Sequence, residues 1–539
     1  MDIAIWTVFE TALESETAYE NPFWDVDLLV RFTGPEGQVK EIDAFWDGVP
    51  ADGDSDAPSR WVVRFSPDAV GQWRWETICS DRGNAGLHDH RGEFTCVPYE
   101  GENPLYRYGA LTLSEDRRSF TWADGSHFFW LADTAWNGVL RSGEEDWARY
   151  LAVRRDQGFS VVQFVSTQWR GASEALGGDR AFTGTERITV FPEFFRSREA
   201  RVAAINEVGL VAAPIILWAV WESDPGLALT EADAVRLARY IVARWGAYHV
   251  IWFLGGDGNY LDERAERWCH IGRGVFGESR EGRDRLVTMH PGGQTWIGEL
   301  FRQEPWYDFI GYQSGHGSSE EHLRWLIEGP PAMQWDGDPV LPVVNLEPNY
   351  EGHPSYHVDR RFTDYEVRRA AYWSLLLTPP AGVSYGTNPI WVWPEVPELP
   401  DGHPNIGLVE PWEQGLLLPG IRSMTILRAF FEVMPWWTLQ PAPELLAAQP
   451  GAADPTDFIA AAKTQDGRQA IAYLPKGGLV RFNLDRLPPS PVMRWFDPRA
   501  GRWTDLRPLA EAVNGDGAGS VIAPDQQDWL LLVESGESA

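Results

Sequence analysis

The sequence predicts a multidomain chain in which a central (β/α)8 TIM barrel is flanked by N-terminal and C-terminal β-sandwich domains. Three observations predict it. Period-2 alternation of apolar residues runs to about residue 105, eight short apolar runs separated by amphipathic stretches fill residues 109–440, and alternation returns in residues 441–539. At 539 residues the chain is too long for one ordinary domain.

In the first part, residues 1–105, "WDVDLLVRF" sets Val26, Leu28, Val30 and Phe32 on one face. "WVVRFSPDAVGQWRWETICSD" does the same with Trp61, Val63 and Phe65, then with Trp73, Trp75 and Thr77. The turn-forming "GPEG", "DGDSD" and "DRGN" divide the alternation into short antiparallel strands, and "YEGENPLY" at 99–106 reads as a linker.

In the second part the expected strands are "HFFWLAD" (127–133), "SVVQFVS" (160–166), "GLVAAPIIL" (209–217), "HVIWFLG" (249–255), "RLVTMH" (285–290), "DFIGYQS" (308–314), "LPVVNLE" (341–347) and "GVSYG" (382–386). Helical stretches such as "EEDWARYLAVRRDQG" and "TEADAVRLARYIVARWG" lie between them, the latter opened by a Thr-x-x-Asp capping signal. Short buried strands alternating with helices build a parallel barrel. The bridge "PWWTLQPAPELLAAQPGAADP" (435–455) leads to the third part, whose strands are "QAIAYLP", "GLVRFNL" and "DWLLLVE".

A formal net charge of −32 repels polyanions, which excludes nucleic acid and anionic membrane as partners and favours a neutral substrate. The 29 Trp, 16 Tyr and 25 Phe supply flat rings for the core and for stacking on sugars. No apolar run approaches the ~18 residues of a membrane span, and no signal-like segment opens the chain. A cytoplasmic location is expected, or an extracellular one by a non-standard export route. Cys79, Cys96 and Cys269 fit a reducing compartment, with Cys79 and Cys96 free to pair on export. No cysteine or histidine cluster has zinc spacing, no cofactor is expected, and a homo-oligomer is left open.

Active residues of a barrel follow the C-terminal ends of its strands. Asp257, in "IWFLGGDGNY", follows the fourth run, and Glu347, in "PVVNLEPNYEG", ends the seventh, 90 residues later. Two carboxyl groups facing across a cleft are what glycosidic bond cleavage needs, one protonated and one ionised. Gly255 and Gly256 are expected to allow unusual backbone angles and close substrate approach. Glu351 is the reserve carboxylate. Around the pair, Asp133, Trp136, Gln168, Trp169, Trp218, His290, Gln313, His316, Tyr385, Asn388 and Trp391 follow or end strands and offer a sugar hydrogen bonds and stacking faces. Each has a plainer reading: Asp257 or His290 as a turn former, Trp136 as core, Asp133 as a brace for loop N–H groups. Two other function classes compete, a non-catalytic carbohydrate-binding barrel and a metal-dependent hydrolase using His290, His316, Asp133 and Asp257.

Seven motifs in order, "FFWLADTAWNG", "RRDQGFSVVQFVS", "IWFLGGDGN", "TMHPGG", "DFIGYQSGH", "VVNLEPNYEG" and "RRAAYWSLL" with "GVSYGTNPIW", resemble the apiosidase-like glycoside hydrolases (glycoside hydrolase family 140) over residues 109–440. The flanking β-domains resemble those that accompany this family. The resemblance implies O-glycosyl hydrolysis by a retaining mechanism, with Asp257 matching the acid/base and Glu347 the nucleophile. Retention in turn implies carboxyl groups about 5 to 5.5 Å apart. The expected reaction is exo-acting release of a neutral sugar, apiosyl, arabinosyl or similar, from an oligosaccharide or glycoside.

Overall fold

Eight parallel strands form the centre of the computed structural model, which describes residues 1–48, 59–277, 285–512 and 519–536. They are β1 (Trp130–Thr134), β2 (Val161–Val165), β3 (Val211–Trp218), β4 (Trp252–Gly258), β5 (Val287–Pro291), β6 (Ile310–Tyr312), β7 (Val343–Asn345) and β8 (Gly382–Gly386). Each falls on one of the eight apolar runs. Their ladder order is β5-β4-β3-β2-β1-β8-β7-β6. The gap between β6 and β5 is closed largely by side chains. Asp308 Oδ2 accepts from Val287 N at 2.9 Å, while Thr288 Oγ1 donates to Phe309 O at 2.7 Å and accepts from Gly311 N at 3.2 Å. Helices cover the outer face, so both faces of the strands are buried and the runs are apolar throughout.

The first run divides. His127–Phe128 pair with Phe120–Trp122, which in turn pair with Leu111–Leu113, in a small antiparallel sheet, and the chain enters the barrel only at Trp130. Phe120 packs edge-on against Phe309 at 5.1 Å and lies 6.0 Å from Trp130, plugging the N-terminal end of the barrel. On the outside run α1 (Glu144–Asp156), α2 (Pro192–Glu207), α3 (Glu231–Trp245) and α4 (Asp364–Leu376). The Thr230 side chain accepts from Asp233 N at 3.2 Å and caps α3.

The N-terminal part holds a five-stranded sheet, in the order Asp2–Ala4, Arg91–Val97, Gly71–Cys79, Leu28–Thr33 and Val39–Asp43, and a three-stranded one of Phe9–Glu14, Arg60–Phe65 and Phe45–Trp46. Rings meet between the two sheets, Phe9 on Phe94 at 4.4 Å and Phe65 on Phe32 at 4.1 Å. The expected turn "DGDSD" lies outside the described residues. Cys79 and Cys96 are buried free thiols. Glu199 of α2 ties this part to the barrel by binding Arg64 at 2.8 Å and Arg244 at 2.5 Å, and Arg244 also reaches Asp47 at 3.0 Å. Every buried charge in that network has an opposite partner.

The C-terminal part is a seven-stranded antiparallel sheet with a separate two-stranded ribbon, Leu479–Arg481 with Ser520–Ile522. It docks on α4. Tyr473 stacks on Tyr372 at 4.9 Å, and Arg368 forks onto the buried Asp528 at 2.7 and 2.9 Å. Among the described residues no helix is long and apolar enough to cross a membrane.

Candidate active site

The end of β4 is irregular. Its register against β5 shifts twice between Phe253 and Gly258, a bulge that re-aims the side chain of Asp257. Asp257 itself takes the left-handed conformation, with φ 51°. The expectation that Gly255 and Gly256 supply unusual angles is corrected, since neither has positive φ. They are glycines for lack of room. A Cβ on Gly256 would lie 2.6 Å from Ile215 Cγ2 and 2.7 Å from Trp218 Cε3, and one on Gly255 would lie 2.5 Å from the Tyr260 hydroxyl. Aspartate tolerates the left-handed region better than bulky residues do, and the strain sits on Asp257 itself.

Asp257 Oδ2 pairs with Arg170 at 3.1 Å. Burial pushes its carboxyl up to about 7, the neighbouring Glu347 adds to the rise, and Arg170 and His290 oppose it. Glu347 is surrounded by donors. Its Oε1 accepts from Gln313 Nε2 at 2.7 Å and lies 2.9 Å from His316 Nε2, while His290 Nε2 stands 3.4 Å from Oε2. Burial alone would raise this carboxyl, but His290 and His316 outweigh it and hold Glu347 well below the usual carboxylate range. Gly315, at φ 76°, turns the chain so that Gln313 and His316 both face Glu347, and its N–H donates to Glu347 O at 3.1 Å. Two carboxyl groups are thus driven in opposite directions within one cavity of about 470 Å³.

Residues from the ends of all eight strands line that cavity. Trp218 joins an aromatic wall, 4.3 Å from Trp169 and 5.5 Å from Trp136. Of the residues singled out by sequence, Asp257, Glu347, Trp136, Trp169, Trp218, Gln313, His316 and Trp391 meet here. His290 is fully buried and does not line the cavity itself, but packs edge-on to Trp136 at 5.3 Å and beside Glu347, which do.

Five others are elsewhere. Asp133 and Tyr385 are register partners on β1 and β8 and point outward. Asp133 accepts from Tyr150 at 2.7 Å and Arg154 at 2.5 Å, both on α1. Tyr385 donates to Glu351 at 2.6 Å, and Glu351 also accepts from Gly420 N at 2.9 Å, so the reserve carboxylate holds the start of the helix Pro419–Glu432 and does not line the cavity. Gln168 binds Phe182 O at 2.8 Å and Ala181 N at 3.0 Å, clamping the hairpin Phe182–Thr183 with Thr189–Val190. Asn388 accepts from Trp391 Nε1 at 3.0 Å and orients that ring from behind. With Asp133 turned away, the metal set of His290, His316, Asp133 and Asp257 does not converge. Among the described residues no three His, Cys, Asp or Glu side chains gather as metal ligands.

Sequence reasoning missed Arg170, Tyr350, His353, Tyr356 and His403, all on the cavity wall. Arg170 directly follows the Gln168-Trp169 pair. Tyr350, His353 and Tyr356 lie in "EPNYEGHPSY", an aperiodic stretch whose ring-rich composition after Glu347 was the available signal.

The family model described as "Apiosidase-like, catalytic domain" matches residues 114–438. A "Domain of unknown function (DUF5060)" matches residues 2–80, and a "Putative collagen-binding domain of a collagenase" matches residues 441–534. No curated protein matches. Among solved structures, a glycoside hydrolase family 5 protein from Bacteroides vulgatus is 21% identical with a TM-score of 0.69, over 81% of this chain and 95% of that one. A second protein of that organism, described as a "putative glycoside hydrolase", is 18% identical with a TM-score of 0.70, over 99% of each chain. At these identities the two structures speak for the fold alone. The catalytic-domain model spans more than half of the chain, including the whole carboxylate-lined cavity, and the chain accordingly belongs to the apiosidase-like family of glycosidases.

Proposed function

We propose that this protein is a retaining, exo-acting glycoside hydrolase that releases a neutral sugar, apiosyl, arabinosyl or similar, from an oligosaccharide or glycoside. Asp257 is the acid/base and Glu347 the nucleophile. The observation that carries the reading is the opposed electrostatics of the pair. Glu347 is kept ionised by His290, His316 and Gln313, while Asp257, half-buried and facing that negative charge, keeps its proton to about pH 7. Glu347 attacks the anomeric carbon as Asp257 protonates the leaving oxygen, and Asp257 then removes a proton from the water that cleaves the glycosyl ester. Exo action is the reading we take for a cavity of about 470 Å³ walled by residues that follow every strand. On the same footing we take residues 1–105 and 441–539 as β-sandwich domains around a barrel at 109–440.

Azide tests the roles. With an aryl glycoside that has a good leaving group, Asp257→Ala should form the glycosyl ester without acid help, and azide should release a glycosyl azide of retained configuration. Glu347→Ala should give an azide of inverted configuration, because one displacement replaces two. Opposite stereochemistry in the two variants would exchange the roles.

A further inference from the structure

A second concavity of about 400 Å³ adjoins the catalytic cavity and shares Trp169 and Arg170 with it. Arg170 is the hinge between them. Its guanidinium contacts Asp257 at 3.1 Å and lies 6.0 Å from the Trp221 ring centre. Of the 29 tryptophans, Trp221 alone stands out into solvent, 46% exposed, and the rest are buried or half-buried. Its position is held from below. The buried Asp224 carboxylate accepts Trp221 N at 2.6 Å and Val220 N at 3.0 Å through Oδ2, and Arg170 N at 2.8 Å through Oδ1. One side chain therefore locks the loops after β2 and β3 into a common floor. The hairpin that Gln168 clamps forms part of the wall, and Thr183, Thr185 and Ser223 add hydroxyl groups to the lining. An exposed ring on a braced loop, with hydroxyl groups around it, is suited to stacking on a sugar face.

We propose that this concavity is the leaving-group subsite, with Trp221 as its stacking platform, and that the enzyme is built for substrates whose leaving group is itself at least a disaccharide. The direction follows from Asp257. The acid must stand at the oxygen joining the released sugar to the leaving group, so the leaving group extends past Arg170 and over Trp221. This inference rests on the retaining roles of Asp257 and Glu347.

The test uses the glycosyl-enzyme, which partitions between water and an added acceptor. In transfer the acceptor hydroxyl oxygen bonds to the anomeric carbon, the ester bond to Glu347 breaks, and the hydroxyl proton passes to the Asp257 carboxylate. The 4-nitrophenyl apioside, arabinoside or galactoside that is turned over serves as donor. Methanol, which reaches no further than Asp257, is compared with xylobiose, cellobiose, galactobiose and arabinobiose as acceptors. In the wild type at least one disaccharide should give a higher transfer-to-hydrolysis ratio per mole than methanol. Trp221→Ala should lower that ratio about tenfold, as expected for loss of one aromatic stacking contact. Trp221→Tyr should recover part of it, and the methanol ratio should be the same in all three proteins. Disaccharides no better than methanol in the wild type, or an unchanged disaccharide ratio in Trp221→Ala, would overturn the subsite. A sugar product of inverted configuration, with no methyl glycoside formed, would instead overturn the retaining reading and take this inference with it.

Discussion

Neutralising Glu347 should change what Asp257 does with its proton, and the size of that change can be worked out. In the free enzyme Asp257 is raised to about 7, with burial as the main cause and Glu347 as the largest charge acting in the same direction. For carboxyl groups about 5.5 Å apart, as retention requires, and an effective dielectric constant of about 20, the repulsion is about 3 kcal/mol, or about 2 pH units. In Glu347→Gln the Asp257 carboxyl should therefore titrate near pH 5. The carbonyl stretch of a protonated carboxylic acid reports this in infrared difference spectra of Glu347→Gln against Glu347→Gln/Asp257→Asn, with wild type against Asp257→Asn as the reference. An Asp257 that titrates within half a unit of its wild-type value, or above it, would refute the electrostatic coupling.

On the proposed retaining roles, esterification of Glu347 by the sugar would remove the same charge that the glutamine variant removes. Asp257 would then give up its proton more readily and stand ionised when it must act as a base, and hydrolysis of the ester would restore the charge and the proton together. One interaction thus serves both steps.

On these roles kcat/KM for the wild type should hold across mildly acidic pH and fall above about 7, as Asp257 loses its proton. Arg170→Gln removes the cation paired with Asp257 at 3.1 Å, so the alkaline limb of the kcat/KM profile should move to higher pH, and a shift to lower pH would contradict the pairing. Asp257→Asn should alter stability with a definite sign. A carboxyl raised from 3.8 to about 7 binds its proton more tightly in the folded state, so wild-type stability is full below the unfolded pKa and is lost as pH rises through about 7. The Asn variant should accordingly gain on the wild type in thermal scans from pH 4 to pH 8, by up to about 4 kcal/mol, and an equal Tm difference at both ends would count against a raised Asp257. Asp528→Ala leaves the buried Arg368 with only the peripheral Asp364 as a charged partner, and a loss of about 3 to 5 kcal/mol should appear as early melting in calorimetry.

The barrel strands were legible because their chemistry is redundant. A strand buried on both faces must be apolar along its whole length, so "HVIWFLG" or "SVVQFVS" announces itself even with uncertain ends. The same redundancy hides direction. In β1 every residue from Trp130 to Thr134 is buried, so polarity could not say whether Asp133 faces the barrel axis or the helices. The deciding fact is Arg154 on α1, and no local pattern connects a strand residue to the helix residue that will cover it. Asp257 and Glu347 escaped this ambiguity because they stand at or past the strand ends, where every direction leads to the mouth. The aim of Asp257 was still not readable. "GGDG" suggests that the glycines provide the flexibility, yet their Cβ positions are occupied by Ile215, Trp218, Tyr260 and Trp268, and the left-handed turn falls on the aspartate. The crowding comes from the neighbouring strand β3 and from the segment after β4, which meet Gly255 and Gly256 only in the folded chain. The strained angle that aims Asp257 is therefore a product of tertiary packing, and a residue free of that packing would have no reason to adopt it.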